Sequence, residues 1–165
     1  MTQDYKYLNF PSKLIRVALV TFMISGLSLP TKIVFASNLV NYSFMKLEQI
    51  QELIARQVNG WETANTDQII ADFAEDSLFI VPGTRYQGKK AIQQVVVSHF
   101  ADYTNIKITV KRIIFDGRDG AVEWDWQEEN KATGELIFAE DAIVFAVENG
   151  KIKYWREYIE PKSAS

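Results

Sequence analysis

Three side chains in this sequence have the chemistry for proton transfer or for holding a polar group of a ligand: His99, Asp141 and Arg156. His99 is the single histidine of the chain, and the pKa of an imidazole lies near neutrality, where it can act as a general acid or base. Its spacing from Ile92 and Val96 places it on the apolar face of a predicted helix. A histidine that is only hydrogen-bonded inside the core is therefore the alternative.

Asp141 lies in the otherwise apolar segment Leu136–Val147. A charge on an apolar face normally has a partner. Asn149-Gly150 predicts a tight hairpin turn, and counting outward from it places Asp141 almost opposite Tyr158 and one diagonal step from Arg156. We therefore expect an Asp141–Arg156 ion pair, which either lines a ligand pocket or only fixes the register of the sheet.

The strand that carries Arg156 places Tyr154 and Tyr158 on the same face. Two hydroxyl groups beside a guanidinium could orient the oxygen atoms of a ligand, or they could form a polar dimer surface. Asp76, expected at the end of the second helix, and Tyr86, expected just before the third, are further candidates for ligand contact.

Alternation separates Glu123 and Asp125 from Trp124 and Trp126 on the two faces of one predicted strand. Either the acids are solvated and the tryptophans are buried, or the acids line a pocket and the tryptophans pack in a dimer interface. Glu123 and Trp124 are therefore both candidate ligand contacts.

Composition excludes several classes of site. The chain has no cysteine, which removes disulfides, thiolate nucleophiles and cysteine-based metal sites. A single histidine excludes a multi-histidine metal centre, and we expect neither a metal nor a cofactor. The formal net charge is −3, and no stripe of basic residues is present to neutralise a phosphate backbone. Nucleic acid is therefore not an expected partner.

The first 36 residues have the order of a signal peptide. Lys13 and Arg16 precede an apolar run that Pro30 ends, and Val34-Phe35-Ala36 offers a cleavage site. The run is too short for a stable membrane span. We expect export of a protein with a linker at 37–44, a domain at 45–160 and a tail at 161–165. The alternative is a cytoplasmic protein that starts at Met45.

Periodicity predicts how the domain positions these residues. Apolar residues recur at helical spacing from Met45 to Trp61, a short helix follows Asn65 or Thr66 and includes Phe73, and a third helix ends near Thr104. Glu75-Asp76-Ser77 is expected to end the second helix, before a short strand over Leu78–Val81. The remaining strands are predicted over Asn105–Phe115, Ala121–Glu128, Leu136–Val147 and Lys151–Ile159. Helices segregated from an antiparallel sheet define an α+β fold.

The order of several short motifs resembles the SnoaL-like branch of the nuclear-transport-factor-like superfamily. The residues that carry the resemblance are Trp61, Asp67, Phe73, Asp76, Pro82-Gly83, Tyr86, Gly88, Ala91-Ile92, Ala121–Trp124, Thr133-Gly134, Glu140–Ala142, Gly150–Ile152 and Trp155–Tyr158. The resemblance implies a cone-shaped fold with three N-terminal helices packed on a strongly curved antiparallel sheet, a pocket between sheet and helices, and frequent homodimers.

Two functions fit these features. The first is a cofactor-free enzyme of the isomerase, cyclase or dehydratase type, acting on a small, largely apolar, oxygen-bearing molecule through His99, Asp141 and Arg156. The second is a non-catalytic ligand-binding or homodimerising module, in which Trp124, Trp126 and Trp155 contribute to a dimer surface.

Overall fold

Three helices and six strands make up the domain in the computed structural model, which describes residues 45–162. The predicted signal peptide and linker lie outside these residues. The helices are α1 (Leu47–Glu62), α2 (Thr66–Ala71) and α3 (Lys89–Asp102), and the strands are β1 (Phe73–Val81), β2 (Thr84–Gln87), β3 (Tyr103–Phe115), β4 (Asp119–Asn130), β5 (Leu136–Glu148) and β6 (Lys151–Lys162). The α+β class and the three helices followed by a curved, unclosed sheet are confirmed.

The second helix is shorter than predicted, because β1 begins at Phe73. The Ser77 hydroxyl donates to the carbonyl of Ile152 at 2.7 Å, and the Ile152 amide donates to the carbonyl of Asp72 at 2.8 Å. These bonds to β6 satisfy the backbone of a segment whose local sequence is typical of a helix end. Tyr86 also lies in a strand that the sequence did not predict, β2, which pairs antiparallel with β1.

The sheet has the strand order β2-β1-β6-β5-β4-β3. Every neighbouring pair is antiparallel except β1 and β6, which run parallel, so the prediction of a purely antiparallel sheet is wrong at this one pair. Extra residues in β3, after Thr104 and after Val110, shift its register against β4. Such bulges increase strand twist and bend the sheet toward the helices.

One side of the sheet, which we call the helix-facing side, forms the core with α1, α2 and α3. Trp124 and Trp155 lie on this side and are each 1% exposed. The interpretation that buries the tryptophans of β4 is therefore correct for Trp124, whereas Trp126 is only partly buried. Burial excludes a contribution of Trp124 and Trp155 to a dimer surface. The opposite side of the sheet, the outer face, carries Glu123 and Asp125.

Among residues 45–162, none of the helices combines the length and the apolar character that crossing a membrane requires.

Candidate functional site

One extra residue in β6 decides which side chains meet on the helix-facing side. Near the hairpin turn Glu148 pairs with Lys151, but a bulge at Lys153 shifts the register, so that Asp141 pairs with Ile159 instead of Tyr158. A slip of one residue moves every side chain to the other face. Arg156 consequently lies on the outer face, opposite Val144, and the predicted Asp141–Arg156 ion pair is wrong.

Asp141 is buried without a cation. The residue is 6% exposed, and its Oδ2 accepts a hydrogen bond from the indole Nε1 of Trp124 at 3.1 Å. Its Oδ1 is also buried and has no hydrogen-bond partner among the residues that the structure describes. Burial raises the pKa of the Asp141 carboxyl, the indole bond opposes this, and the negative charge of Glu128 raises it further.

Glu157 is a second acid of this site that sequence reasoning did not select. It pairs with Ile143, which places it on the helix-facing side, diagonal to Asp141. Its Oε1 accepts a hydrogen bond from the indole Nε1 of Trp155 at 2.8 Å. Burial raises the pKa of Glu157 to about 8, against the Trp155 bond and with the help of the Asp141 charge. The Glu157 carboxyl is therefore largely protonated at neutral pH and can donate a hydrogen bond.

The third acid on this side, Glu128, has a basic partner. Glu128 is 7% exposed, and its Oε2 accepts from the indole Nε1 of Trp126 at 2.9 Å and from His99 Nε2 at 2.8 Å. The His99 ring also stacks on Tyr103, with centroids 4.8 Å apart. His99 is thus hydrogen-bonded, as one interpretation expects, but it is only partly buried, with a side chain 27% exposed. A catalytic role for it stays a prediction.

Glu128, Asp141 and Glu157 thus lie along a diagonal on the helix-facing side of β4, β5 and β6, which we call the carboxylate row. Glu128 pairs with Ile137, four residues from Asp141, and Glu157 pairs with Ile143, two residues from it. Each of the three accepts one indole hydrogen bond. Within residues 45–162 only Glu128 also contacts a basic side chain. No group of three or more metal-ligating side chains in this part of the chain has a geometry that could hold a metal ion.

A cavity of about 860 Å³ adjoins the Asp141–Glu157 end of the row. Pairing of β1 with β6 stops at Ile80 and Arg156, so that β6 is bonded only to β5 from Glu157 onward. The cavity lies beside this stretch of β6 that is not paired with β1, and the turn at Pro82-Gly83 borders it. Side chains from both faces of the sheet line the cavity.

The position of the cavity differs from the pocket that the family resemblance implies. Its described lining comes from strands and from the β1–β2 turn, and it includes no residue of α1, α2 or α3. Core side chains fill the space between the helices and the sheet instead. Those predicted site residues that line the cavity are Glu123, Trp124, Asp141, Arg156 and Tyr158.

Glu123, Arg156 and Tyr158 reach the cavity from the outer face. Glu123 forms an ion pair with Arg112. The Arg156 guanidinium lies over the Tyr158 ring, 4.8 Å from its centroid, and Tyr158 is 50% exposed. Neither side chain faces the carboxylate row, so the outer-face residues and the acids present two different surfaces to a ligand.

The remaining predicted residues lie away from the cavity. Asp76 is exposed and pairs with Lys153, which lowers the pKa of its carboxyl mainly through that hydrogen bond. The Tyr86 ring packs near Phe79, with centroids 6.1 Å apart. Tyr154 is partly buried on the outer face. Ligand contacts by these three residues stay predictions.

Comparison with known proteins agrees with this architecture. Residues 54–155 match the family described as the SnoaL-like domain. No curated protein sequence matches the chain.

Solved structures from three organisms have the same fold. A protein from Catenulispora acidiphila with a ketosteroid isomerase-like fold, solved in complex with trimethylamine, is 16% identical, with a TM-score of 0.61 over 65% of this chain and 84% of that one. An LEH-like epoxide hydrolase from M. tuberculosis is 18% identical, with a TM-score of 0.61 over 68% and 84%. An NTF2-like protein from Burkholderia pseudomallei is 11% identical, with a TM-score of 0.62 over 70% and 92%.

Proposed function

Since this chain belongs to the SnoaL-like domain family, we propose that it binds a small molecule in the cavity beside the β1–β2 turn and exchanges protons with it through Glu157 and Asp141. The observation that carries the proposal is the pair of diagonal carboxyl groups at the cavity wall, Asp141 buried and Glu157 partly buried, each held by an indole N–H. Two acids with raised pKa values at one cavity are typical of sites that transfer protons.

The two acids have different roles in this proposal. Glu157, with a pKa of about 8, holds a proton at neutral pH that it donates to an acceptor atom of the ligand. Asp141 supplies Oδ1 as the acceptor for a donor group of the ligand. The chemistry needs no cofactor, because proton donation and proton acceptance are both supplied by side chains.

The lining of the cavity indicates the kind of ligand. Val81, Pro82 and Ile159 form an apolar part of the lining, and Ile159 pairs with Asp141. Charged and polar side chains, which include Arg85, Lys111 and Glu160, form the rest. A small molecule with an apolar body and one polar end matches this division, as the sequence also predicts. The Catenulispora relative is a complex with trimethylamine, so a protein of this fold can hold a molecule of that size.

A thermal-shift screen with a set of small cyclic ketones, alcohols and amines tests the proposal. A compound that binds the folded protein at ten times its Kd stabilises it by about 1.4 kcal/mol, which corresponds to roughly 3–5 °C in Tm for a domain of this size. We expect Asp141→Asn and Glu157→Gln each to remove at least half of that shift while the variants stay folded.

Glu135→Gln is the matched control, since Glu135 is an exposed acid outside the cavity lining. The control is expected to keep the full shift. A ligand that stabilises the wild type, Asp141→Asn and Glu157→Gln equally would contradict the proposed site.

A second role, self-association, is supported by an apolar strip on the outer face. Ile114 pairs with Ala121 and Ala121 pairs with Val144, so the three side chains form a row across β3, β4 and β5. Ile114 is 57% and Val144 43% exposed. Contiguous exposed apolar area is typical of an interface, and we propose that two copies pack through this strip as a homodimer.

Light scattering after size exclusion tests the dimer. Val144→Lys is expected to convert a dimer into a folded monomer, because a buried unpaired lysine opposes association, whereas Glu135→Lys should leave the dimer intact. A wild-type protein that is monomeric at high micromolar concentration would contradict self-association.

Export through the leader is a further proposal, since it rests on residues 1–36 alone. Mass spectrometry of the mature protein from its native host tests it. An N-terminus at Ser37 supports export, and one at Met45 or Lys46 supports the cytoplasmic alternative.

A further inference from the structure

The two acids at the Asp141–Glu157 end of the carboxylate row have no ion-pair partner in residues 45–162. Within residues 45–162, neither acid forms an ion pair with a lysine, an arginine or a histidine. The bulge at Lys153 turns Arg156 to the outer face, and the only histidine is bonded to Glu128. Three basic residues, Arg85, Lys111 and Arg156, do line the cavity, but five acids line it as well: Glu123, Glu140, Asp141, Glu157 and Glu160. None of the three bases forms an ion pair with Asp141 or Glu157, so the charge of these two acids is not compensated within residues 45–162.

Asp141 provides the second, independent observation. It is 6% exposed and lines the cavity, yet its Oδ1 has no hydrogen-bond partner within residues 45–162. A buried carboxylate oxygen without a donor is unfavourable, since folding removes its bonds to water and returns none. The nearest indole donor, Trp124, is already used by Oδ2.

A ligand hydroxyl and a ligand ammonium group would satisfy this oxygen differently. A hydroxyl donates one hydrogen bond and leaves the negative charge of the row uncompensated. An ammonium donates as well and compensates that charge, and hydrogen bonds between charged groups are shorter and stronger than neutral ones. The charge balance at Asp141 and Glu157 thus favours the cation.

We infer that the ligand bound by the proposed function is an amine, protonated in solution, whose N–H group donates to Asp141 Oδ1 while its apolar body lies against Val81 and Ile159. The inference rests on the proposed function for the existence of a ligand and adds its chemical class.

Proton release provides a signature of the amine. The charge that acts on Glu157 most directly is that of Asp141 on β5, with Glu128 and its His99 partner beyond it. The other charged residues that line the same cavity are Arg85, Lys111, Glu123, Glu140, Arg156 and Glu160. An ammonium placed among these acids favours the ionised form of Glu157, so binding near pH 7.5 releases a proton. A ketone that accepts the Glu157 proton favours the protonated form and causes no release.

Three probes of equal shape test the inference on the unmodified protein: 2-aminoindane, 2-indanol and 2-indanone. We expect 2-aminoindane to bind at least tenfold more tightly than either neutral probe in titration calorimetry near pH 7.5. Titrations in phosphate and in HEPES, which differ in ionisation enthalpy and contain no primary amine, should show a net release of protons for the amine alone. In Asp141→Asn the preference for the amine should disappear, and in Glu135→Gln it should persist.

The possible failures are distinguishable. If 2-indanol or 2-indanone binds as tightly as the amine and the loss in Asp141→Asn is the same for all three, the amine inference is overturned and the proposed function stands. If the amine binds without releasing protons, the inference is overturned as well. If none of the three probes binds or shifts Tm, both the inference and the proposed site are contradicted.

Discussion

The two ends of the carboxylate row differ in whether a helix residue contacts the acid. Glu128 and Asp141 lie on adjacent strands of the same side of the sheet, and each accepts a hydrogen bond from a tryptophan indole. Helix α3 brings His99 onto Glu128 at 2.8 Å. No helix residue lines the cavity at Asp141 in the described part of the chain. A buried acid thus has a basic partner from the protein at one end and none within residues 45–162 at the other.

This difference has an energetic counterpart. The Glu128–His99–Trp126 group is satisfied, so each partner stabilises the fold. Asp141 and Glu157 repel each other, and burial raises the pKa of both. Replacing a satisfied acid should destabilise the protein, whereas replacing an unsatisfied one should not.

The largest expected effect is that of Glu128→Ala. The substitution leaves His99 and the Trp126 indole, both partly buried, without their acceptor, and we expect a loss of about 2 kcal/mol in the free energy of unfolding. Urea denaturation measures it. Asp141→Asn, compared in the same experiment, should change stability by less than about 1 kcal/mol. Equal losses for the two variants would show that the two ends do not differ.

The pH dependence of stability gives a second effect. The folded pKa of Glu157 is about 8, raised from an ordinary value of 4.5. Between pH 4.5 and 8 the folded state keeps a proton on Glu157 that the unfolded state has released. The contribution of Glu157 to stability is therefore fully present below about pH 4.5. It then falls as pH rises toward 8, by at most about 1.4 kcal/mol per pH unit.

Glu157→Gln isolates that contribution, because the amide does not titrate. Urea denaturation of both proteins at pH 5.5, 6.5 and 7.5 is expected to show the variant gaining stability relative to the wild type as pH rises. Parallel curves for the two proteins would mean that Glu157 has an ordinary pKa.

The smallest expected effect concerns His99. His99→Gln keeps an N–H donor near Glu128, and we expect a loss of about 1 kcal/mol or less in the free energy of unfolding. The Tm shift caused by a bound ligand should be unchanged, since His99 does not line the cavity. A lost ligand shift in this variant, with its fold intact, would restore His99 as a site residue.

Local pattern was sufficient to predict most of the fold. The apolar spacing of α1 and α3 and the alternation of β4 and β5 arise from residues that are close in sequence, and each element has the predicted type. The Asn149-Gly150 turn is also local, and Glu148 and Lys151 pair across it as expected. The burial of Trp124 is also local in origin. Polar and apolar residues alternate along β4, so a sheet with one buried side buries the apolar set.

The candidate site depended on contacts that are not local. A single bulge at Lys153, which no turn or composition signal marks, moved Arg156 away from Asp141 and brought Glu157 to the same side. The parallel pairing of β1 with β6 converted a predicted helix end into a strand. Glu157 could have been selected from its place two residues after Trp155, on the same face as a core tryptophan.

The end of the β1–β6 pairing at Arg156 has a consequence for solubility. Beyond Arg156, the side of β6 that faces away from β5 has no neighbouring strand in residues 45–162, and an unpaired strand edge can pair with the edge of another molecule. Pro161 has no N–H to offer to such a partner, and Lys162 adds a charge beside it. The unpaired end of β6 beside the cavity thus carries two residues that oppose strand-to-strand aggregation.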